Sequence, residues 1–279
     1  MMLINSDEQL RMLIPHVLAT VEGESTFLEK LTPFLETAEE WAKQNFTSEE
    51  VFNSIADQNE DRQDRKLLSR LVANHAYLTA IPSLDIILTP NGFGIVSNQN
   101  VAPASKERVE RLMDSIEAER DQAAEQLLCQ LATMASWQVT HQGKYFAATL
   151  FPFLGMCHRL AIREHIWSSY QQLHERLIKI ENVLAETYFS QEQMNVFRQH
   201  VMNQMQDCNA IEEHVIHSLR SYELLLVSDM QVHPQSFYDL VNIIREHDEI
   251  FPAWHSSSVA ELYTPKIFEN KKSSSGYWF

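Results

Sequence analysis

Apolar side chains recur at threes and fours along most of this chain, the spacing that gathers them on one face of an α-helix. Leu10, Leu13, Val17 and Leu18 form a first short stripe, opened by a capping-box pair, Ser6 and Gln9, and closed by Gly23. Pro15 bends that helix or marks its start. Phe27, Leu28, Leu31, Leu35, Ala38 and Trp41 make a second stripe, with Glu36, Glu39 and Glu40 on the other side. Ser48 is placed to cap a helix that begins Glu49-Glu50, acids that complement the positive helix end. Val51, Phe52 and Ile55, then Leu67, Leu68, Leu71, Val72 and Tyr77, carry the next stripe. Residues 57–66 interrupt it without one apolar side chain, so the helix either crosses solvent there or breaks in two.

Ser105 caps a long helix through Val109, Leu112, Met113, Ile116, Ala123, Leu127, Leu131 and Met134, about eight turns. A further helix runs from His158 to Tyr188, and Ser190 with Gln193 reads as another capping box. The stripe Met194, Phe197, Val201, Met205, Cys208, Ile211, Val215, Leu219, Tyr222 and Leu226 then predicts one helix roughly 50 Å long, antiparallel to its predecessor. Pro234 sits at a first helical position, and Phe237, Leu240, Ile243 and Ile244 make a last helix that stops near Phe251-Pro252. No internal repeat is legible.

Two stretches depart from this pattern. Ile86-Ile87-Leu88 and Phe93-Gly94-Ile95-Val96 flank Thr89-Pro90-Asn91-Gly92, which reads as a β-hairpin near residues 84–97. The aromatic patch from Tyr145 to Gly155 fits a second hairpin around Gln142-Gly143 or a buried helix. The fold expected is therefore mostly α: a multi-helix bundle with long antiparallel helices and one inserted β-hairpin. One helical domain would span residues 1–255, and Ser256 onward would be a flexible C-terminal arm.

Composition agrees with long helices, since the chain has only 6 glycines in 279 residues. Its net charge of −16 repels a phosphate backbone and disfavours nucleic-acid binding. Three separated cysteines, Cys129, Cys157 and Cys208, suggest neither a disulfide framework nor a zinc site. No run is long and apolar enough to span a bilayer, and no secretory leader is evident, so a soluble protein is expected.

Candidate chemistry is sparse. His214 and His217 share a helix face, but no glutamate in the chain has a histidine three residues later, as a bundle di-metal site requires. Cys157-His158 with His165 could pair a thiol with a base; adjacent helical residues point apart, and a buried cysteine is the reading preferred. Asn91-Gly92-Phe93-Gly94 lacks the spacing of a phosphate loop. No catalytic, cofactor or metal residue is assigned. Partner-binding residues are expected in the hairpin, at Asn91, Gly92, Phe93 and Gly94, and in the arm, at Lys271, Lys272, Tyr277, Trp278 and Phe279. There, aromatic anchors follow a Ser-Gly spacer.

The segment PNGFGIVSNQNVAPASKERVERL, residues 90–112, and the SSGYWF ending, residues 274–279, resemble an uncharacterised group of proteins encoded by phages and prophages of gut anaerobes, typically near virion structural genes. The resemblance implies a virion component of the head–tail connector or head-completion kind, and it brings no enzymatic residues. Its partners would be other virion subunits or copies of itself in a homo-oligomer, without a membrane, a cofactor or sequence-specific nucleic acid. It would be found in the host cytoplasm during assembly and then in the virion. The alternative is a helical-bundle enzyme or ligand-binding protein using the 145–155 patch as a pocket wall.

Overall fold

The computed structural model describes residues 3–14, 26–84, 86–89, 92–95 and 105–264. They are mostly helical, and the chain divides into two compact units, residues 1–173 and 174–279. The single helical domain expected over 1–255 is thus two units. Their boundary falls within a continuous helix, so no Pro-, Gly- or Ser-rich linker marks it in the sequence.

The first unit opens with α1 (Asp7–Leu13). Ser6 Oγ accepts from the Gln9 N–H, but the Gln9 side chain turns back to the Asn5 N–H. A complete capping box, Thr26 with Glu29, starts α2 (Phe27–Ala42), which buries Leu31, Leu35 and Ala38 and runs on through Pro33. A π-helical turn, Lys43–Thr47, ends it. Ser48 follows at φ 78° and caps α3 (Glu49–Ala56) by accepting from the Val51 N–H. The apolar-free stretch breaks the helix, as one of its two readings had it, and α4 (Gln63–Leu84) resumes at Gln63 and packs against α2.

Ile86–Thr89 (β1) and Gly92–Ile95 (β2) pair antiparallel, with Thr89 opposite Gly92 and Ile86 opposite Ile95. Pro90, Asn91 and the flanking residues 85 and 96–104 lie outside the described residues. Beyond them α5 (Lys106–Leu131) packs on α4 and stops short of Met134. Two short helices follow, α6 (Ala135–Gln138) and α7 (His141–Phe146), the second capped by Thr140. The 145–155 patch is therefore neither a hairpin nor one helix. It leaves α7 as irregular chain that buries Leu150, Phe151 and Leu154, then enters α8 (Gly155–Arg159).

Helix α9 (Ile166–Leu184) carries the chain across the unit boundary into a second π-helical turn, Ala185–Phe189. Ser190, at φ 62°, caps α10 (Gln191–Met202). The expected 50 Å helix is not continuous: α10 ends at Met202, Gln204 and Met205 take positive φ, and Asn209 with Glu212 forms a complete capping box that starts α11 (Ala210–Val227). The three-and-four spacing runs on through this break, which is why it suggested one helix. Helix α12 (Pro234–Glu246) packs on α11 and has proline at its N-terminus, as read from sequence. The expected irregular stretch at Ser256 is instead the link between α13 (Pro252–His255) and α14 (Ser258–Tyr263), and α14 buries Val259 and Ala260. Residues 265–279, which include the arm residues Lys271, Lys272, Tyr277, Trp278 and Phe279, lie outside the described residues.

The two units share one arrangement, a repeat that the sequence pattern hid. In each, a long helix (α2 or α9) ends in a five-residue π-helical turn, and a serine at positive φ caps a shorter helix (α3 or α10). A left-handed serine is strained by about 1–3 kcal/mol. Its N–H closes the π-turn by donating to Lys43 O at 3.0 Å, or to Ala185 O at 2.8 Å, while its hydroxyl takes an otherwise orphaned N–H of the next helix. The reversal at the serine leaves a turn carbonyl without a helical partner, and a fully buried tryptophan supplies the donor. Trp137 Nε1–H reaches Phe46 O at 2.6 Å, and Trp254 Nε1–H reaches Tyr188 O at 2.9 Å. Each carbonyl belongs to the residue two before the serine.

The correspondence continues past the tryptophans. Thr140 and Ser257, each three residues on, donate to the tryptophan carbonyl and cap the next short helix by accepting from the Gly143 and Ala260 N–H. Phe146 and Tyr263, nine residues on, place their rings against the indoles at 5.9 and 6.2 Å. Helices α2, α3, α4, α5, α6 and α7 thus match α9, α10, α11, α12, α13 and α14 one for one. The first copy differs by carrying β1 and β2 between its third and fourth helices, where the second has only a short link.

Candidate functional site

A polar concave site lies in the first unit, along one face of α5. Glu117, Asp121 and Glu125 are spaced by fours and so stack on successive turns facing the 154–167 segment. Arg120 donates to Asp121 Oδ1 from Nε at 2.8 Å and from Nη2 at 2.7 Å, and to Glu117 at 3.1 Å. His165 lies 2.9 Å from the other Glu117 oxygen. Backbone N–H groups of Leu154 and Gly155 bind the Glu125 carboxyl, and that of Trp167 binds Asp121. Gly155 suits this approach, because a Cβ there would come within 3.1 Å of Glu125 Oε1.

Two buried oxygens are left over. Asp121 Oδ2 and Glu125 Oε2 have no hydrogen-bond partner. The residues Asp121 and Glu125 also line a cavity of about 450 Å³, together with Gln122, Gln126, His158 and Arg163. Burial pushes both carboxyls above their ordinary range, against the pull of Arg120 on Asp121 and of the two backbone donors on Glu125. Arg120 also lies 5.8 Å from the centre of the Trp41 ring, on which His75 stacks at 3.7 Å. Burial and the Arg120 charge hold His75 down at about 4, so it is neutral at pH 7.

The second unit buries a different polar cluster. Glu181 and Glu223 are fully buried; Glu181 accepts from Arg198 Nε at 2.9 Å, whereas neither oxygen of Glu223 has a hydrogen-bond partner. Burial first, and then the neighbouring Glu181 charge, raise Glu223 well above the ordinary carboxylate range.

The residues weighed from sequence fall as follows. Cys157 is buried with its thiol on Ile166 O at 3.7 Å, and burial together with Asp121 and Glu125 pushes it up to about 11, so no thiolate forms at neutral pH. His158 is exposed beside Arg163, and His165 faces Glu117. His214 and His217 are both exposed, and His217 sits 3.4 Å from Glu213. Among the described residues no group of three or more His, Cys, Asp or Glu could hold a metal ion. The 145–155 patch is mostly core, yet its end, Leu154 and Gly155, does line the cavity. Of the hairpin residues, Gly92, Phe93 and Gly94 lie in β2 and Asn91 is outside the described residues. Sequence reading missed Asp121 and Glu125, although two acids four apart beside Ile116, Ala123 and Leu127 sit close to the apolar stripe of α5, where a solvated charge is not expected.

Residues 14–147 match the model of a family of unknown function, DUF6712. The matched stretch ends one residue past α7 and so contains the first copy of the repeated arrangement and none of the second. No curated protein and no solved structure matches the chain significantly. No helix of the described residues is long and apolar enough to cross a membrane.

Proposed function

We propose that this chain is a non-enzymatic structural protein of a phage virion, of the head–tail connector or head-completion kind, which assembles with copies of itself or with neighbouring virion subunits. The observation that supports the reading is where the two copies differ. β1 and β2 have no counterpart among the described residues of the second copy, and the segment after α14 follows the last matched helix. Chain added to a shared arrangement is available for recognition, and an exposed strand edge or a tethered aromatic anchor is a common way to bind a neighbour. Of these additions, β2 and the last residues of the chain fall within the segments that resemble the phage group, residues 90–112 and 274–279.

In this reading Asn91, Gly92, Phe93 and Gly94 dock a neighbour through the hairpin. Tyr277, Trp278 and Phe279 anchor the terminal segment, each able to bury ~150–250 Å². Lys271 and Lys272 steer that segment toward the acidic surface of another copy. The experiment compares wild type with a chain lacking residues 273–279 and with a Gly92→Val, Gly94→Val double variant, by light scattering and electron microscopy. Folded variants that no longer form higher-order particles are expected. Normal particles from both variants would overturn the assignment of these segments.

A further inference from the structure

We propose that the aromatic face of the second unit, formed by Tyr188, Tyr238 and Tyr263, is the surface on which a second copy of this chain seats its Tyr277, Trp278 and Phe279. This rests on the reading that the terminal segment anchors a neighbour, and it names the surface that receives it. In the first copy, the turn residue two before the serine is Phe46, and the residue nine past the tryptophan is Phe146. Their rings lie 6.0 Å apart and both are fully buried. Chain that follows α7 closes over them: the Trp167 ring sits 4.6 Å from Phe46 and 6.2 Å from Phe146, and Tyr170 stacks on Phe146 at 5.9 Å.

The same two positions in the second copy are Tyr188 and Tyr263, and both keep part of their surface exposed. Tyr263 is held in place by its hydroxyl, which donates to Thr187 O at 2.8 Å. Tyr238 joins the two, with its ring 5.6 Å from Tyr188 and 6.0 Å from Tyr263, and is itself 43 % exposed. Leu262, next to Tyr263, is 73 % exposed. The next tryptophan in the chain is Trp278, 15 residues past Tyr263, just as Trp167 is the next after Phe146, 21 residues on. Trp278 thus follows the second copy as the closing ring follows the first. A closing element on a tether can be exchanged between identical copies, and exchange turns a closing contact into an assembly contact. Clustered tyrosines suit such a contact, since they offer apolar rings with a polar edge. Glu186, Asp239 and Glu261 are exposed and stand within two residues of these rings, so their charge complements Lys271 and Lys272 of the incoming segment.

The test places p-benzoylphenylalanine at position 278 of the full chain and irradiates an equal mixture of isotopically heavy and light protein. Mass spectrometry should find heavy-to-light cross-links joining that position to residues 186–189, 237–239 or 261–264. Leu262→Asp and Tyr238→Ser, both at exposed positions, should each lower the yield of these cross-links about tenfold or more with helical circular dichroism unchanged. Heavy-to-light cross-links confined to other surfaces would overturn this site and leave the anchoring reading standing. Cross-links only within single chains would overturn both. No cross-link at all, or a yield that neither variant lowers, would also overturn the proposal. The wild-type map of cross-links decides it even if one variant fails to fold.

Discussion

Trp137 and Trp254 show how one atom can hold a turn. Each indole N–H donates to a main-chain carbonyl in the turn that ends its helix, and each ring lies fully inside its core. Trp254→Phe and Trp137→Phe should each destabilise by about 1–3 kcal/mol through the unpaired carbonyl, with a further loss from reduced packing. Urea denaturation measures both, and similar losses at the two sites would follow from their matching roles. A negligible loss at either site would mean that water or another donor satisfies the carbonyl.

Glu223 gives the pH-dependent counterpart. It faces Glu181, Arg198 and Arg220 with no hydrogen bond to its own oxygens, and its folded pKa is raised. The protonated acid is the form that suits the core. Its contribution to stability is therefore complete below the ordinary carboxylate range and is lost as pH rises through the raised value. Glu223→Gln, neutral at every pH, should gain stability relative to wild type as pH is raised from 4 to 8. Urea midpoints at the two ends of that range provide the check; a constant difference would show that Glu223 titrates alike in the folded and unfolded chain.

Among the elements, those with periodic faces and end signals were readable from sequence, and those decided by distant partners were not. Pro234 at the start of α12, Ser48 and Ser190 at their caps, and the stripes of α2 and α5 all follow local chemistry. The break before α11 escaped because Met205, Cys208 and Ile211 keep helical spacing across it, while the deciding group is Asn209, which accepts from the Ile211 and Glu212 N–H groups. Asn209→Ala should cost about 1 kcal/mol, measured by urea denaturation, since two N–H groups lose their acceptor. The repeat escaped for a related reason. Tryptophan and acceptor carbonyl stand 91 residues apart in one copy and 66 in the other, so no fixed period exists to find. The cavity was illegible because Asp121 and Glu125 meet Leu154 and Gly155 only through tertiary packing, which residue spacing does not encode.

For the whole molecule, the dominant electrostatic fact is a net charge of −16. A surface of that sign releases few counterions from duplex DNA, so a mobility-shift assay at physiological salt should show no retardation. Tight binding that weakens steeply with added salt would contradict this and point to a basic patch that the total conceals.

The presence of β1 and β2 in only one of two matching units has a consequence for counting. Any closed assembly of this chain contains twice as many tryptophan-locked units as strand pairs. A partner that recognises the strand pair therefore finds one site per chain, and a partner that recognises the shared helical arrangement finds two.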